Sequence, residues 1–150
     1  MRHRTSGKQL GRTRHQRQAL FRSLARAMFL HGSICTTKAK AQSVIPLIEK
    51  ICSLCKKGDI SSRRRIFAIF QDRSFVNRIV EAITVAYADR QSNFTKIKHI
   101  KCRQGDDALI VKLEFTLPVD FKDKNKSDVP VKDKTPKIVK KAPKTKVKSK

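Results

Sequence analysis

The residues of this chain best suited to chemistry are its four cysteines: Cys35, Cys52, Cys55 and Cys102. Cys52 and Cys55 have the spacing of zinc ligands, but no second Cys or His pair accompanies them at the usual distance. Cys35 or Cys102 could form a thiol–imidazole pair with His99, yet nothing in the sequence brings the groups together. We expect no metal, no cofactor and no catalytic residue, and we interpret Cys52 and Cys55 as small apolar residues on a buried helix face.

Other arrangements that support catalysis are also missing from the sequence. No glycine-rich phosphate loop precedes a predicted helix, and no Gly-x-Ser-x-Gly segment occurs. The 12 acidic residues are scattered, mostly at predicted helix caps, in loops and towards the C-terminus. We therefore predict a protein that is not an enzyme and that has no small-molecule substrate.

The basic residues give a much stronger signal. Lysine and arginine number 36, the formal net charge is +24, and the first acidic residue is Glu49. Because like charges repel and oppose compaction, an acid-free segment of this length is favoured only beside a polyanion. The pattern predicts binding to the phosphate backbone of a nucleic acid, with recognition of shape more than of base sequence. The basic residues before Glu49 are Arg2, Arg4, Lys8, Arg12, Arg14, Arg17, Arg22, Arg26, Lys38 and Lys40.

A basic surface could also serve an anionic membrane or an acidic protein. No apolar run approaches the roughly 20 residues that span a bilayer, which excludes an integral membrane protein, and we expect no membrane partner. An Arg-rich, acid-free start is typical of mitochondrial transit peptides as well. Here the first predicted helix runs without a break into the next elements, which favours a start that belongs to the folded protein.

Composition divides the chain into three parts. Residues 1–12 contain Gly7 and Gly11 and show no apolar periodicity, which predicts a basic N-terminal arm. Residues 13–117 carry the apolar patterning of a globular α/β domain that binds RNA. Residues 118–150 are rich in lysine and proline and cannot bury enough surface to offset the entropy of ordering, so they are predicted to be a disordered tail.

The first predicted helix begins at Thr13, which could form a capping box with Gln16, and stops at Gly32. Its apolar positions recur at a spacing of four residues: Leu20, Leu24 and Met28. Arg14 and Arg17 project on the same side as these apolar residues, one or two turns earlier. One interpretation is that the helix extends beyond the protein core and that another molecule surrounds its first turns. An ordinary amphipathic helix with a frayed basic start fits the pattern equally well.

Three further helices follow a short β-rich link. Thr37 begins the second, which ends at Gly58; Asp59 caps the third; Asp72 or Ser74 opens the fourth. The apolar residues that we single out on the third helix are Ile60, Ile66, Phe67 and Phe70. In the fourth, the inward-facing residues are predicted to be Phe75, Val76, Ile79, Val80 and Ile83.

The remaining periodic segments are two strands, Phe94–Cys102 and Leu109–Leu117, joined by a loop in which Gly105 suits a hairpin. The second strand alternates clearly and should bury one face: Leu109, Val111, Leu113 and Phe115. Together the elements predict an α+β fold of two layers, with about four helices packed on a small sheet that includes a C-terminal β-hairpin.

Several segments also resemble the bacterial-type large-subunit ribosomal protein seventeen family. The start MRHRTSGKQLGRTRHQRQALFRSL resembles the family's Met-Arg-His-Arg opening, and ICTTKAKAQSVIPLIEK at 34–50 resembles its most diagnostic segment. KKGD at 56–59, YADR at 87–90 and RQGDDALIVKLEF at 103–115 match in order. The similarity covers residues 1 to about 117. Thr5 departs from the family, where a basic residue is common, and no function is carried over to the longer tail.

The resemblance implies a cytoplasmic structural protein of the large ribosomal subunit that supports subunit assembly and translation. Its expected partners are 23S-type rRNA and neighbouring large-subunit proteins near the polypeptide exit region. RNA contacts of the family carry over to matching positions: Arg2, His3, Arg4, Gly7, Arg12, Lys38, Lys40 and Arg103. The alternative is a free nucleic-acid-binding protein, such as a nucleoid or regulatory factor, which the charge alone would equally suit.

Overall fold

The computed structural model of the chain describes residues 7–119 and 121. These residues form four helices: α1 (Arg14–His31), α2 (Lys38–Lys57), α3 (Ile60–Phe70) and α4 (Arg73–Ala86). They also form three strands: β1 (Ser33–Thr37), β2 (Thr95–Cys102) and β3 (Leu109–Phe115). The predicted α+β fold, with helices packed on a small sheet that includes a C-terminal hairpin, is confirmed. Residues 1–6 of the predicted arm, and the predicted tail apart from 118, 119 and 121, lie outside the described residues.

Helix boundaries follow local signals in the sequence. The Thr13 N–H donates to Gln16 Oε1 at 3.3 Å at the start of α1, and Gly32 ends that helix at a positive φ of 71°. Asp72 is the residue that caps α4, since its Oδ1 accepts from the Phe75 N–H at 3.1 Å. Asp59 occupies the same position before α3, but its side chain makes no capping hydrogen bond.

The sheet has the order β1-β3-β2 and is antiparallel throughout. The β-rich link that follows α1 is therefore an edge strand, paired with β3 from Ser33 opposite Glu114 to Thr37 opposite Ile110. The predicted hairpin places β2 on the other side of β3, from Thr95 opposite Phe115 to Cys102 opposite Leu109. A single α-helical layer can then cover one face of all three strands.

The core lies between this sheet face and the helices. Val111, Leu113 and Phe115 of β3 are buried, as are all five predicted residues of α4. Leu109, expected on the buried face of β3, is 40% exposed, and Ile60 and Phe67 of α3 are 71% and 46% exposed. Ile60 is the first residue of α3, Phe67 lies at the edge of the buried face of that helix, about 100° around it from Ile66, and Leu109 begins β3 at the hairpin loop.

Two polar connections fix the helices to the sheet. Glu49 of α2 accepts three hydrogen bonds at one carboxylate oxygen, from the Phe94 N–H at 3.0 Å and from the Thr95 N–H and hydroxyl at 3.1 and 3.0 Å. Tyr87, which is 1% exposed, donates to Phe94 O at 3.0 Å and accepts from the Leu117 N–H at 3.1 Å. Both connections satisfy backbone groups at the start of β2, and that of Tyr87 also reaches the segment just after β3.

The packed part of the chain continues past the predicted boundary at residue 117. Val119 and Phe121 are partly buried against the core. The Phe121 ring lies 5.9 Å from the Phe29 ring of α1 and 5.6 Å from the Phe115 ring of β3, measured between centroids. Contacts of this length between aromatic rings are stabilising, so the segment after β3 contributes to the fold.

Candidate nucleic-acid interface

The starts of α1 and α2 lie at the same end of the molecule. The α1 C-terminus is beside Phe115, since the Phe115 N–H donates to Gly32 O at 3.4 Å. From there β1 runs to Thr37, opposite Ile110 at the far end of β3, and α2 begins at the next residue. The arm returns to this place as well, because Lys8 Nζ donates to Gln42 Oε1 of α2 at 2.8 Å. The basic side chains gathered here, which we term the basic end, are Lys8, Arg12, Arg14, Arg17, Lys38 and Lys40.

The charges at these two helix starts are the reverse of what helices prefer. Neither α1 nor α2 has an acidic residue in its first turn, whereas Arg14, Lys38 and Lys40 stand there. A helix N-terminus carries about half a positive charge and is stabilised by carboxylates, so cations at this position oppose folding. Together the helix starts and the cations form a strongly positive site, which suits phosphate.

Two arginines of the basic end organise the arm. Arg12 donates to Leu10 O at 2.8 Å, and Arg17 donates to Gln9 O at 3.3 Å and to Arg12 O at 3.2 Å. These bonds hold a turn in which Leu10 and Gly11 both have positive φ. Each guanidinium has five N–H donors, so both keep donors for an outside partner.

Other residues that the sequence predicts to contact RNA have fewer partners within the protein. Within the part of the chain that the structure describes, the side chains of Arg14, Arg22, Lys38 and Lys40 make no hydrogen bond or ion pair. Arg14 and Arg22 are exposed, while the lysine stems are partly buried on the protein surface. Gly7 is exposed with a positive φ of 92°. Arg2, His3 and Arg4 lie outside the described residues.

Arg26 and Arg103 have carboxylate partners within the protein. Arg26 lies 3.0 Å from Asp72 and 4.9 Å above the Phe75 ring. The pKa of Asp72 is lowered, chiefly by the hydrogen bond from the Phe75 N–H, with Ser74 and Arg26 adding to the effect. Arg103 binds Asp106 with two nitrogens, one of them at 2.9 Å, and this contact lowers the pKa of Asp106 to about 2. Both arginines therefore stabilise local structure, whatever else they contact.

A group of lysines that the sequence interpretation did not select lies on the sheet face opposite the helices. Ile110, Lys112 and Glu114 of β3 alternate with the buried residues and so point outward. Their register partners on β2 are Lys101, Lys98 and Lys96. The alternating lysines of the segment TKIKHIKC were the available signal, although only the register shows that they share a face with Lys112.

The cysteines have no arrangement suited to metal binding in the described part of the chain. Cys52 and Cys55 are fully buried, and burial raises the pKa of both thiols, that of Cys55 to about 12. Cys35 and Cys102 are exposed on different strands. Among residues 7–119 and 121, no three His, Cys, Asp or Glu side chains could together hold a metal ion, and no helix is long and apolar enough to cross a membrane.

Comparisons with known proteins agree with the resemblance seen in the sequence. Residues 20–116 match the family model described as ribosomal protein L17. A large ribosomal subunit protein bL17 from Desulforapulum autotrophicum is 38% identical over 115 residues, which cover 77% of this chain and 96% of that protein. The proteins of the same name from Desulfotalea psychrophila and Agrobacterium fabrum are 38% and 36% identical, again over 77% of this chain and over 89% and 82% of theirs.

Proposed function

Because the chain belongs to the ribosomal protein L17 family, we propose that it is a structural, non-catalytic constituent of the large subunit of cytoplasmic ribosomes. In this role it binds 23S-type rRNA and contacts neighbouring large-subunit proteins near the polypeptide exit region. It supports subunit assembly and translation by neutralising phosphates where RNA segments approach closely.

The basic end is the observation that carries this proposal. Two helix starts with cations in their first turns meet the basic arm at one place, and the first fully buried residue of α1 is Ala25, farther along the helix. Such an arrangement costs the isolated protein stability, since cations and helix N-termini repel. RNA phosphates reverse the sign of that interaction. The arrangement therefore favours a protein that completes its charge balance inside a ribonucleoprotein.

Location and copy number distinguish the proposed ribosomal role from the alternative, a free nucleoid or regulatory factor. We expect an affinity-tagged chain, produced in a bacterium depleted of its own family member, to sediment with large subunits. It should remain there through a high-salt wash, in about one copy per subunit. Recovery of the chain free or along DNA would contradict the proposal.

A paired measurement tests the basic end itself. Lys38→Gln with Lys40→Gln should make the plot of log K against log[salt] for RNA binding less steep by about 2, or about 0.9 for each lost phosphate contact. The same change should leave the free energy of unfolding of the free protein equal or raise it by up to about 1 kcal/mol, since it removes repulsion at the α2 start.

The matched control is Lys57→Gln with Arg73→Gln, which removes the same charge from exposed helix positions outside the basic end. Its salt dependence should equal that of the unchanged protein. An equal change in slope for both pairs would mean that net charge alone, and not the basic end, determines binding.

A further inference from the structure

The outer face of the sheet is a second positively charged surface, separate from the basic end. Four lysines point outward from β2 and β3: Lys96, Lys98, Lys101 and Lys112. Glu114 is the one acidic residue among the outward-facing positions of these two strands, so three positive charges remain uncompensated there. We term this surface the lysine face. The helices pack on the opposite side of the sheet, where Val111, Leu113 and Phe115 are buried.

A β-bulge contributes to the composition of this face. The register of β2 shifts between His99 and Lys101, and Lys101 is then opposite Ile110. Without the extra residue, strict alternation after Lys98 would place Ile100 outward in the row and Lys101 inward. The bulge therefore keeps lysines at three successive outward positions of β2.

Glu114 lies at the centre of the lysine face and forms ion pairs with three of its lysines. Its carboxylate lies 2.6 Å from Lys98 Nζ, 3.3 Å from Lys96 Nζ and 3.3 Å from Lys112 Nζ. The Glu114 side chain is 13% exposed, whereas those of the three lysines are 41–60% exposed. The hydrogen bond from Lys98, followed by those from Lys96 and Lys112, lowers the pKa of Glu114 to about 2. One ionised carboxylate thus collects three ammonium groups but cannot neutralise them.

The side chains around this cluster exclude some partners. The outward positions of β1 are Ser33, Cys35 and Thr37, and Ile110 is the outward apolar residue of β3. In the described strands, no aromatic ring points outward on which an unpaired base could stack. Lysine is depleted at the centres of protein–protein interfaces, where aromatic residues and arginine are enriched. Lysine does act well as a point charge beside phosphate.

We propose that the lysine face binds the phosphate backbone of base-paired RNA, as a contact additional to the basic end. The proposal rests on the proposed function, because it takes the RNA to be that of the large subunit. The face recognises the regular phosphate row of an A-form helix and reads no base edges. With the basic end on the arm and helix starts, and the lysine face on the sheet, one protein then holds two RNA surfaces.

Cys35 provides a native probe of the lysine face. It lies outward on β1, opposite Lys112, and is exposed. Cys52 and Cys55 are buried with raised pKa values, so Cys102→Ser leaves Cys35 as the reactive thiol of the full chain. An iron chelate attached to Cys35 before assembly generates hydroxyl radicals beside the face. We expect it to cleave rRNA of purified large subunits within a base-paired segment.

The matched control carries the chelate at Glu81→Cys on the exposed surface of α4, in the protein with Cys35→Ser and Cys102→Ser. Cleavage at the same rRNA positions from both labels, no cleavage from Cys35, or cleavage confined to single-stranded rRNA would overturn the proposal. So would cross-links from a photoreactive group at Cys35 to protein instead of RNA, which would identify an acidic protein as the occupant. Incorporation of the chain into subunits is scored separately, and its failure would count against the proposed function itself.

A second measurement does not depend on a label. Lys96→Gln with Lys98→Gln should make the salt dependence of binding to an RNA duplex of about 20 base pairs less steep by about 2. The control pair Lys57→Gln and Arg73→Gln should not change it. Equal slopes for the lysine-face variant and the control would also overturn the proposal.

Discussion

At the scale of single residues, the arginines of this protein differ in whether they have a carboxylate partner within the chain. Arg26 and Arg103 bind carboxylates of the same chain, while Arg14 and Arg22 have no partner among the described residues. The sequence could identify all of them as basic but could not separate the two groups. Asp72 stands 46 positions from Arg26, and only the packing of α1 beside the start of α4 brings them within 3.0 Å.

Asp72 and Asp59 form a natural test of helix capping in this protein. Both precede a helix, but only Asp72 accepts a backbone hydrogen bond at the cap and also binds Arg26. Asp72→Ala should lower the Tm by about 3–6 °C, because the capping bond is lost. Asp59→Ala should shift the Tm by much less. Thermal unfolding followed by circular dichroism compares the two, and equal shifts would show that the capping bond contributes nothing.

The pH dependence of this effect has a definite sign. The folded-state pKa of Asp72 is lowered, so its stabilisation is present above the ordinary aspartate pKa of about 3.9 and is lost as pH falls through the lower folded value. The Tm difference between the unchanged protein and Asp72→Ala should therefore be constant from about pH 7 to pH 5 and shrink below pH 4. A difference that grew on acidification would contradict the assigned cause.

At the scale of elements, the helix boundaries were predictable because their signals are local. Gly32 and Gly58 end α1 and α2 at the predicted residues, and both have positive φ. The pairing of β1 with β3 was not predictable in the same way, since about 75 residues separate the two strands along the chain and no local signal reports their register. The lysine face depends on that register and on a bulge, which explains why the sequence interpretation missed it.

The first acidic residue of the chain, Glu49, joins two elements. Its one oxygen accepts three hydrogen bonds from Phe94 and Thr95 at the start of β2. Glu49→Ala should lower the free energy of unfolding by about 2–3 kcal/mol, because two backbone N–H groups lose their partner. Glu49→Gln keeps an acceptor oxygen and should cost clearly less. Urea unfolding measures both, and an equal cost would mean that charge, and not the hydrogen bonds, supports the connection.

At the scale of the whole molecule, packing against the core extends beyond the residue at which the apolar pattern of the sequence stops. The apolar periodicity stops near residue 117, yet Val119 and Phe121 are partly buried against the core. A single aromatic residue in a Lys-rich segment gives no periodic signal, so its packing could not be read from the pattern. The predicted tail is therefore best tested from residue 122 onward.

Two truncations separate folding from the contribution of the tail. A chain ending at Phe121 should have a free energy of unfolding within about 0.5 kcal/mol of the full chain and should enter large subunits equally well. A chain ending at Leu117 should lose about 1–2 kcal/mol, because the contacts of Phe121 with Phe29 and Phe115 disappear. Failure of the longer truncation to enter subunits would show that residues 122–150 have a role in assembly.

The cations at the starts of α1 and α2 have a consequence for the lifetime of the protein before assembly. A free copy carries this repulsion, whereas RNA phosphates at the basic end, as proposed, would relieve it, so the unfolded population of the free copy would be larger. Proteases act on that population in cells. Surplus copies would therefore be degraded faster than incorporated ones, and the supply of RNA would set the amount of protein that persists.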